Sequence, residues 1–177
     1  MRLLFIGDSL MEFFDWQARF QDHAVDNLGI AGETVEGLKA RLDRVMGRIA
    51  PPDAIFIMSG INNLAMEDRG FIPAYRDIVR RLRQRYPSAR IFINSLLPVL
   101  YPFISNDDVR ESNRQLSTLA ADEGVDYLDV HGRFLESDGR PRAAFLLDDG
   151  VHLSSEGYTA WSEMVVEALK DQQDRRR

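Results

Sequence analysis

Three short stretches of this chain, residues 3–6, 54–58 and 90–94, are almost continuously apolar. Side chains along a strand point alternately to opposite faces, so a strand with one wet face alternates apolar and polar residues. A short run without alternation fits a strand covered on both faces, the environment of a parallel sheet. Residues 24–28 and 125–129 are two further strand candidates. Parallel neighbours cannot be joined by tight hairpins, so each connection must cross over, usually as a helix.

The intervening sequence supplies such helices. Val35, Leu38, Leu42, Val45, Met46 and Ile49 recur at helical spacing behind Thr34, a plausible N-cap. Tyr75, Ile78, Val79, Leu82 and Tyr86 do the same, with Pro73 suited to the first turn and Pro87 to the end. A third helix is expected from Ser105 or Asn106, carrying Val109, Leu116 and Leu119 and stopped by Gly124. The last starts near Ser154 or Ser155 and lines up Tyr158, Trp161, Met164, Val165, Ala168 and Leu169.

The β-α unit thus recurs about five times, which predicts an α/β fold. The expected architecture is three-layer α/β/α and flavodoxin-like, with five parallel strands in the order 2-1-3-4-5. A chain of 177 residues suits one core, so residues 1–170 read as a single domain. Residues 171–177 read as a polar tail expected to fray. Residues 130–148 lack clear periodicity, and so long an irregular stretch in a compact domain points to function.

Several functions are disfavoured at once. A net charge of -6 gives no basic excess for nucleic acid. Arg76, Arg80, Arg81, Arg83 and Arg85 cluster on one helix and read as its solvated face rather than as an anion site. The chain has no cysteine, so it has no disulfide, thiolate nucleophile or cysteine-bound zinc. No charged segment leads into a long apolar stretch; neither a secretory signal nor a membrane span is expected, and the cytoplasm is the expected location.

Open α/β sheets bind ligands beyond the carboxyl ends of their strands. Gly7-Asp8-Ser9-Leu10 leaves the first strand at that edge. A serine hydroxyl needs a neutral imidazole to take its proton and a third group to orient the ring. Of the three histidines, His152 has Asp149 one turn before it, whereas His23 and His131 read as structural or solvated. Asp148 competes for the orienting role, but the three-residue spacing favours Asp149. Oxyanion donors are available at the same edge: the backbone N–H of Ser9, that of Gly32 ahead of a helix, and the side-chain amide of Asn62. No cluster suggests a metal.

These segments resemble the SGNH superfamily of GDSL-type esterases and lipases, across nearly the whole chain and in the right order. Its signature residues fall on Ser9, Gly32, Asn62 and His152. Phe5-Ile6-Gly7-Asp8-Ser9-Leu10, Gly60-Ile61-Asn62-Asn63, Ser95-Leu96-Leu97-Pro98 and the string from His152 to Tyr158 look most like type I platelet-activating-factor acetylhydrolase catalytic subunits and their bacterial relatives. Asn63 stands where the superfamily often has Asp, as in that subgroup, which argues against the thioesterase and lysophospholipase branch.

The resemblance implies a serine esterase without cofactor, acting on short acyl esters, acetyl first, of a lipid, carbohydrate or small-molecule alcohol. A homodimer is possible. Acyl transfer to an alcohol would use the same site. A non-catalytic flavodoxin-like module binding a phosphate-bearing ligand is the competing reading, but it leaves the Asp149/His152 pair unexplained and finds no phosphate-loop motif. Asp8, Leu10, Phe13, Asn63 and Val151 are expected to support the catalytic residues or line the pocket. Phe13, Phe14 and Trp16 read first as core and second as pocket wall. Leu97, Pro98, Leu100 and Tyr101 follow the fourth strand and are further pocket candidates.

Overall fold

The computed structural model describes residues 1–174, and the side chains of residues 1–170. Five parallel strands form one sheet: β1 (Arg2–Gly7), β2 (Ala24–Gly29), β3 (Ala54–Met58), β4 (Arg90–Asn94) and β5 (Asp126–Leu128). Their order is β2-β1-β3-β4-β5, as expected. β1 and β3 are central, and their continuous apolar runs are buried on both faces. β2 is an edge strand, only partly buried, and accordingly carries Asp26 and Asn27.

The register aligns Phe5 with Phe56 and Phe56 with Phe92. One face of the sheet therefore carries a row of stacked rings, with centroids 5.1 and 4.7 Å apart. Each fully buried ring contributes roughly 1.5–3 kcal/mol relative to exposure. Trp16, on α2 (Trp16–Arg19), stacks on Phe5 at 4.0 Å and meets Trp161 edge-on at 5.1 Å. Trp161 belongs to α7 (Ser155–Asp174), so this face is covered by α2 and α7. The third layer holds α3 (Val35–Met46), α5 (Ile72–Arg85) and α6 (Asn106–Glu123), packed side by side.

Helix ends follow their sequence signals. Thr34 Oγ1 accepts from Gly37 N–H at 3.2 Å to start α3, and Ser105 Oγ accepts from Asp107 N–H to start α6. α3 stops at Met46, leaving Ile49 outside it, and β5 is shorter than expected at both ends. Three helices were not anticipated: α1 (Ser9–Glu12), α2 and α4 (Ile61–Ala65). Each is at most five residues long, too short for an apolar stripe to repeat. Residues 130–148 form two 3₁₀ turns, His131–Phe134 and Ala143–Phe145, that pack on α7. α7 continues through Asp174, into the stretch expected as a tail; residues 175–177 lie outside the described residues.

The arginine-rich face of α5 is largely ion-paired. Arg76 and Arg80 both bind the buried carboxylate of Glu123, and Arg81 binds Asp77 and Asp43. Among the described residues, no helix is long and apolar enough to cross a membrane.

Candidate active site

The carboxyl ends of β2, β1 and β3 lie level, with Gly7 registered to both Gly29 and Met58. Every residue of the expected site follows one of these strands or sits on the turn before α7.

Ser9 is the first residue of α1. Asp8 is its N-cap, accepting from Leu10 N–H at 3.1 Å, while the Asp8 carbonyl accepts from Met11 and Glu12. The first N–H groups of a helix have no intrahelical acceptor, which leaves Ser9 N–H available at the sheet edge. Asp8 is fully buried, and its Oδ2 has no hydrogen-bond partner among the described residues. Burial pushes the Asp8 carboxyl up to about 7, although the Leu10 N–H and a charge on His152 pull the other way. Leu10 is core, and its carbonyl accepts from the Tyr158 hydroxyl at 3.1 Å, tying α7 to α1.

His152 lies on a turn closed by an antiparallel bridge between Leu146 and Leu153. Within it, Leu147 N–H donates to His152 O and Gly150 N–H to Leu147 O. Gly150 has φ +71°, and a Cβ there would stand 2.8 Å from the backbone of Leu100 and Tyr101. Only glycine suits both conditions, and the close approach lets Leu100 N–H donate to Gly150 O at 2.8 Å. The loop after β4 thereby braces the histidine turn.

The Asp149 carboxylate accepts three bonds: from the backbone of Val151 and of His152, each at 2.8 Å, and from His152 Nδ1 at 2.6 Å. Desolvation pushes this carboxyl up, but the His152 ring and the two N–H groups outweigh it and hold it down at about 2. A carboxylate only accepts, so the proton of a neutral ring sits on Nδ1, and Nε2 is left as acceptor. Ser9 Oγ stands 3.0 Å from Nε2, placed to donate its proton there. Asp148 is exposed; Asp149 is the carboxylate against the ring.

Gly32, with φ +75°, lies in the turn in which Glu33 N–H bonds Ile30 O at 3.2 Å. Ala31 N–H is held by Glu12 Oε2 at 2.5 Å. Asn62 Nδ2 donates to the Glu33 carbonyl at 3.0 Å, which brings the third-strand loop onto the Gly32 turn. The neighbouring Asn63 is buried and fully engaged: its Oδ1 accepts from Val35 N–H at 3.0 Å, and its Nδ2 donates to Glu36 and Asp68 at 2.8 Å. It joins α3 to α4 rather than facing a ligand.

Phe13 corrects the first reading of that residue. It is 56% exposed, not core, and its ring centroid stands 5.3 Å from that of His152. It follows the last residue of α1. Trp16 is core as expected, and Phe14 is partly buried against Trp16 and Tyr158. His131 is buried, with its backbone N–H donating to Ser95 Oγ.

A cleft of about 250 Å³ opens beside His152, lined by Ile61, Asn62, Ala65, Tyr101, Ile104 and Val151 among others. Of the candidates after β4, Tyr101 lines it, while Leu97 is buried in the core. Ile104 was not assigned from sequence, because no periodicity marks residues on an irregular loop. A larger cavity, about 500 Å³, lies at the other end of the sheet among Arg80, Arg83, Arg90 and Asp126, away from all these groups. No group of three or more potential metal ligands occurs among the described residues.

Residues 5–160 match the GDSL-like Lipase/Acylhydrolase family. Human platelet-activating factor acetylhydrolase IB subunit alpha1 is 29% identical over 167 residues, covering 89% of this chain and 70% of its own. The rat alpha2 subunit is 29% identical over 168 residues, covering 88% and 70%. Among solved structures, a Streptococcus pneumonia protein provisionally described as a platelet activating factor superposes with a TM-score of 0.86 at 26% identity, covering 94% of this chain and 83% of its own. An acetyl xylan esterase from Geobacillus stearothermophilus shares the fold, with a TM-score of 0.75 at 22% identity and coverage of 94% and 93%.

Proposed function

As a member of the GDSL-like lipase/acylhydrolase family this chain is a carboxylic ester hydrolase, and we propose that it cleaves short acyl esters, acetyl first, through an acyl-enzyme on Ser9. The observation that carries this reading is the continuous line from Asp149 through His152 to Ser9, at 2.6 and 3.0 Å.

His152 Nε2 takes the Ser9 proton as Oγ attacks the ester carbonyl carbon. The resulting oxyanion is held by the N–H groups of Ser9 and Gly32 and by the second hydrogen of the Asn62 amide. The tetrahedral centre collapses, His152 returns the proton to the leaving alcohol, and the acyl group stays on Oγ. Water then attacks with His152 again as base; His152 returns that proton to Ser9 Oγ as the acyl–oxygen bond breaks, and the acid leaves. Asp149 keeps the proton on Nδ1 and stabilises the imidazolium; it stays ionised throughout. The residues present complete these steps without a cofactor.

One observation supports a short acyl group. The human relative is named for acetyl hydrolysis. That relative is also named as a subunit, and pairing of two copies of this chain is checked by light scattering in solution.

The test is a p-nitrophenyl ester series from acetyl to dodecanoyl, with products identified in the presence of candidate alcohols. kcat/KM is expected to peak at acetyl or propionyl, with free acid as the product. A buried methylene is worth about 0.8 kcal/mol, so a true long-chain groove would show kcat/KM rising steeply through octanoyl. That rise would refute the short-acyl reading. Acyl recovered on the alcohol instead of as free acid would identify a transferase.

A further inference from the structure

Arg41 and Glu33 form a bidentate ion pair beneath the Gly32 turn. Nε and Nη2 of Arg41 each stand 2.6 Å from a Glu33 carboxylate oxygen, and both side chains are more than nine-tenths buried. Nη2 also donates to the carbonyl of Leu28, near the end of β2, at 2.6 Å. One guanidinium on α3 thus joins the end of β2 to the last residue of the Gly32 turn. The catalytic steps above make no use of either side chain.

The backbone of Glu33 faces the other way. Its carbonyl accepts the Asn62 amide at 3.0 Å. A carbonyl can only accept, so it dictates which end of the Asn62 side chain turns toward it: the NH2, never the oxygen. The two hydrogens of that planar NH2 diverge at a fixed angle. Once one is committed to Glu33, the direction of the other is set. The Glu33 carbonyl therefore selects the amide orientation that an oxyanion donor needs, and it aims the free hydrogen.

We propose that the buried Glu33–Arg41 pair is a positioning device for the oxyanion donors, holding the Glu33 carbonyl that orients Asn62 and the turn that carries Gly32. A buried ion pair is weak support for stability, since the cost of desolvating both charges rivals their attraction. Its geometric effect is larger: it fixes a backbone segment on which two of the three donors depend. The inference rests on Asn62 being an oxyanion donor.

The test compares wild type with the paired apolar variant Glu33→Met/Arg41→Met, with Arg41→Lys, and with Asn62→Ala alone and combined with each. Initial rates on p-nitrophenyl acetate separate kcat from KM, and thermal unfolding reports the fold. The apolar pair is expected to keep Tm while kcat falls about 10- to 100-fold at nearly constant KM. Arg41→Lys keeps the charge but not the fork, and is expected to show the same kcat-only loss even if the apolar pair folds poorly. In the Asn62→Ala background either change should cost several-fold less than in the wild type, the remainder acting through the Gly32 turn. Folded variants with wild-type kcat, or an equal loss in both backgrounds, overturn the proposal while leaving Asn62 as donor. A normal kcat for Asn62→Ala itself overturns the oxyanion reading and this inference with it.

Discussion

Ser9 Oγ and His152 Nε2 stand 3.0 Å apart although 143 residues separate them in the chain. Two tertiary contacts hold that distance. The Tyr158 hydroxyl ties α7 to the Leu10 carbonyl, and Leu100 braces the histidine turn through Gly150. Activity therefore depends on how α7 seats against α1 as well as on the reacting groups.

Ser9→Ala and His152→Ala should each reduce turnover to near background, and the double variant should be little worse, because nucleophile and base act as one unit. A fluorophosphonate probe should label Ser9 alone, read by peptide mass spectrometry. Labelling of a different serine in folded protein would contradict the assignment.

Asp149→Asn should cost far more activity than Asp148→Asn. The first leaves a ring of wrong tautomer in unchanged geometry, with a loss on the order of 10⁴ in kcat. Asp148 is exposed, and the carboxylate bonded to the imidazole is that of Asp149, so the Asp148 amide should behave like wild type. Steady-state kinetics on the two variants decide the matter, and the reverse ranking would move the orienting role to Asp148.

Asn62→Ala should lower kcat by about 10²–10³ with little change in KM, since an oxyanion donor acts on charge that develops only in the transition state. A raised KM at normal kcat would make Asn62 a ground-state binding residue.

Asp8 gives a stability prediction. Its carboxyl titrates at about 7 when folded, against an ordinary value of 3.8 that applies when unfolded. Between these values the folded chain holds a proton that the unfolded chain has lost. Stability is then full below about pH 4 and falls as pH rises toward 7, by about 4 kcal/mol across the window. Asp8→Asn carries no titration and should lack this component. Urea unfolding of both proteins from pH 4 to 8 measures it; a pH-independent difference between them would rule out a buried, titrating Asp8.

Gly150→Ala should destabilise the fold by about 1–3 kcal/mol, because alanine is strained at positive φ. The steric contact with Leu100 and Tyr101 should also displace the turn, so kcat should fall more than Tm suggests. Gly139→Ala, also at positive φ but with open space around it, is the control: similar strain, no loss of kcat.

The sequence was most legible where a periodic pattern was long enough to read. The runs of β1, β3 and β4 lack alternation because both faces are covered, and that alone implied a parallel sheet. Ser9, Gly32, Asn62 and Asp149/His152 could be picked out as candidates because each stands at a strand exit or helix entry with its own local signal. Of the two readings of Phe13 the core one failed, because hydrophobicity identifies an apolar residue without saying whether a layer lies over it. The partners of Asn63, and the Glu33–Arg41 pair, connect positions whose neighbours in sequence carry no trace of the contact. Ile104 reaches the cleft on a loop that is braced by the Leu100–Gly150 backbone bond, a contact no local pattern announces.

Asp149 and His152 share one short turn, closed by the Leu146–Leu153 bridge. Acid and base therefore travel together. If this segment lifts away from α1, the carboxylate goes with the imidazole, the tautomer is preserved, and only the link to the nucleophile is broken. In many hydrolases the acid and the base come from separate loops, and opening one of them scrambles both relations. Here a detached turn is a loaded cartridge: inert while apart from Ser9, and competent again as soon as it redocks, with no proton to relocate.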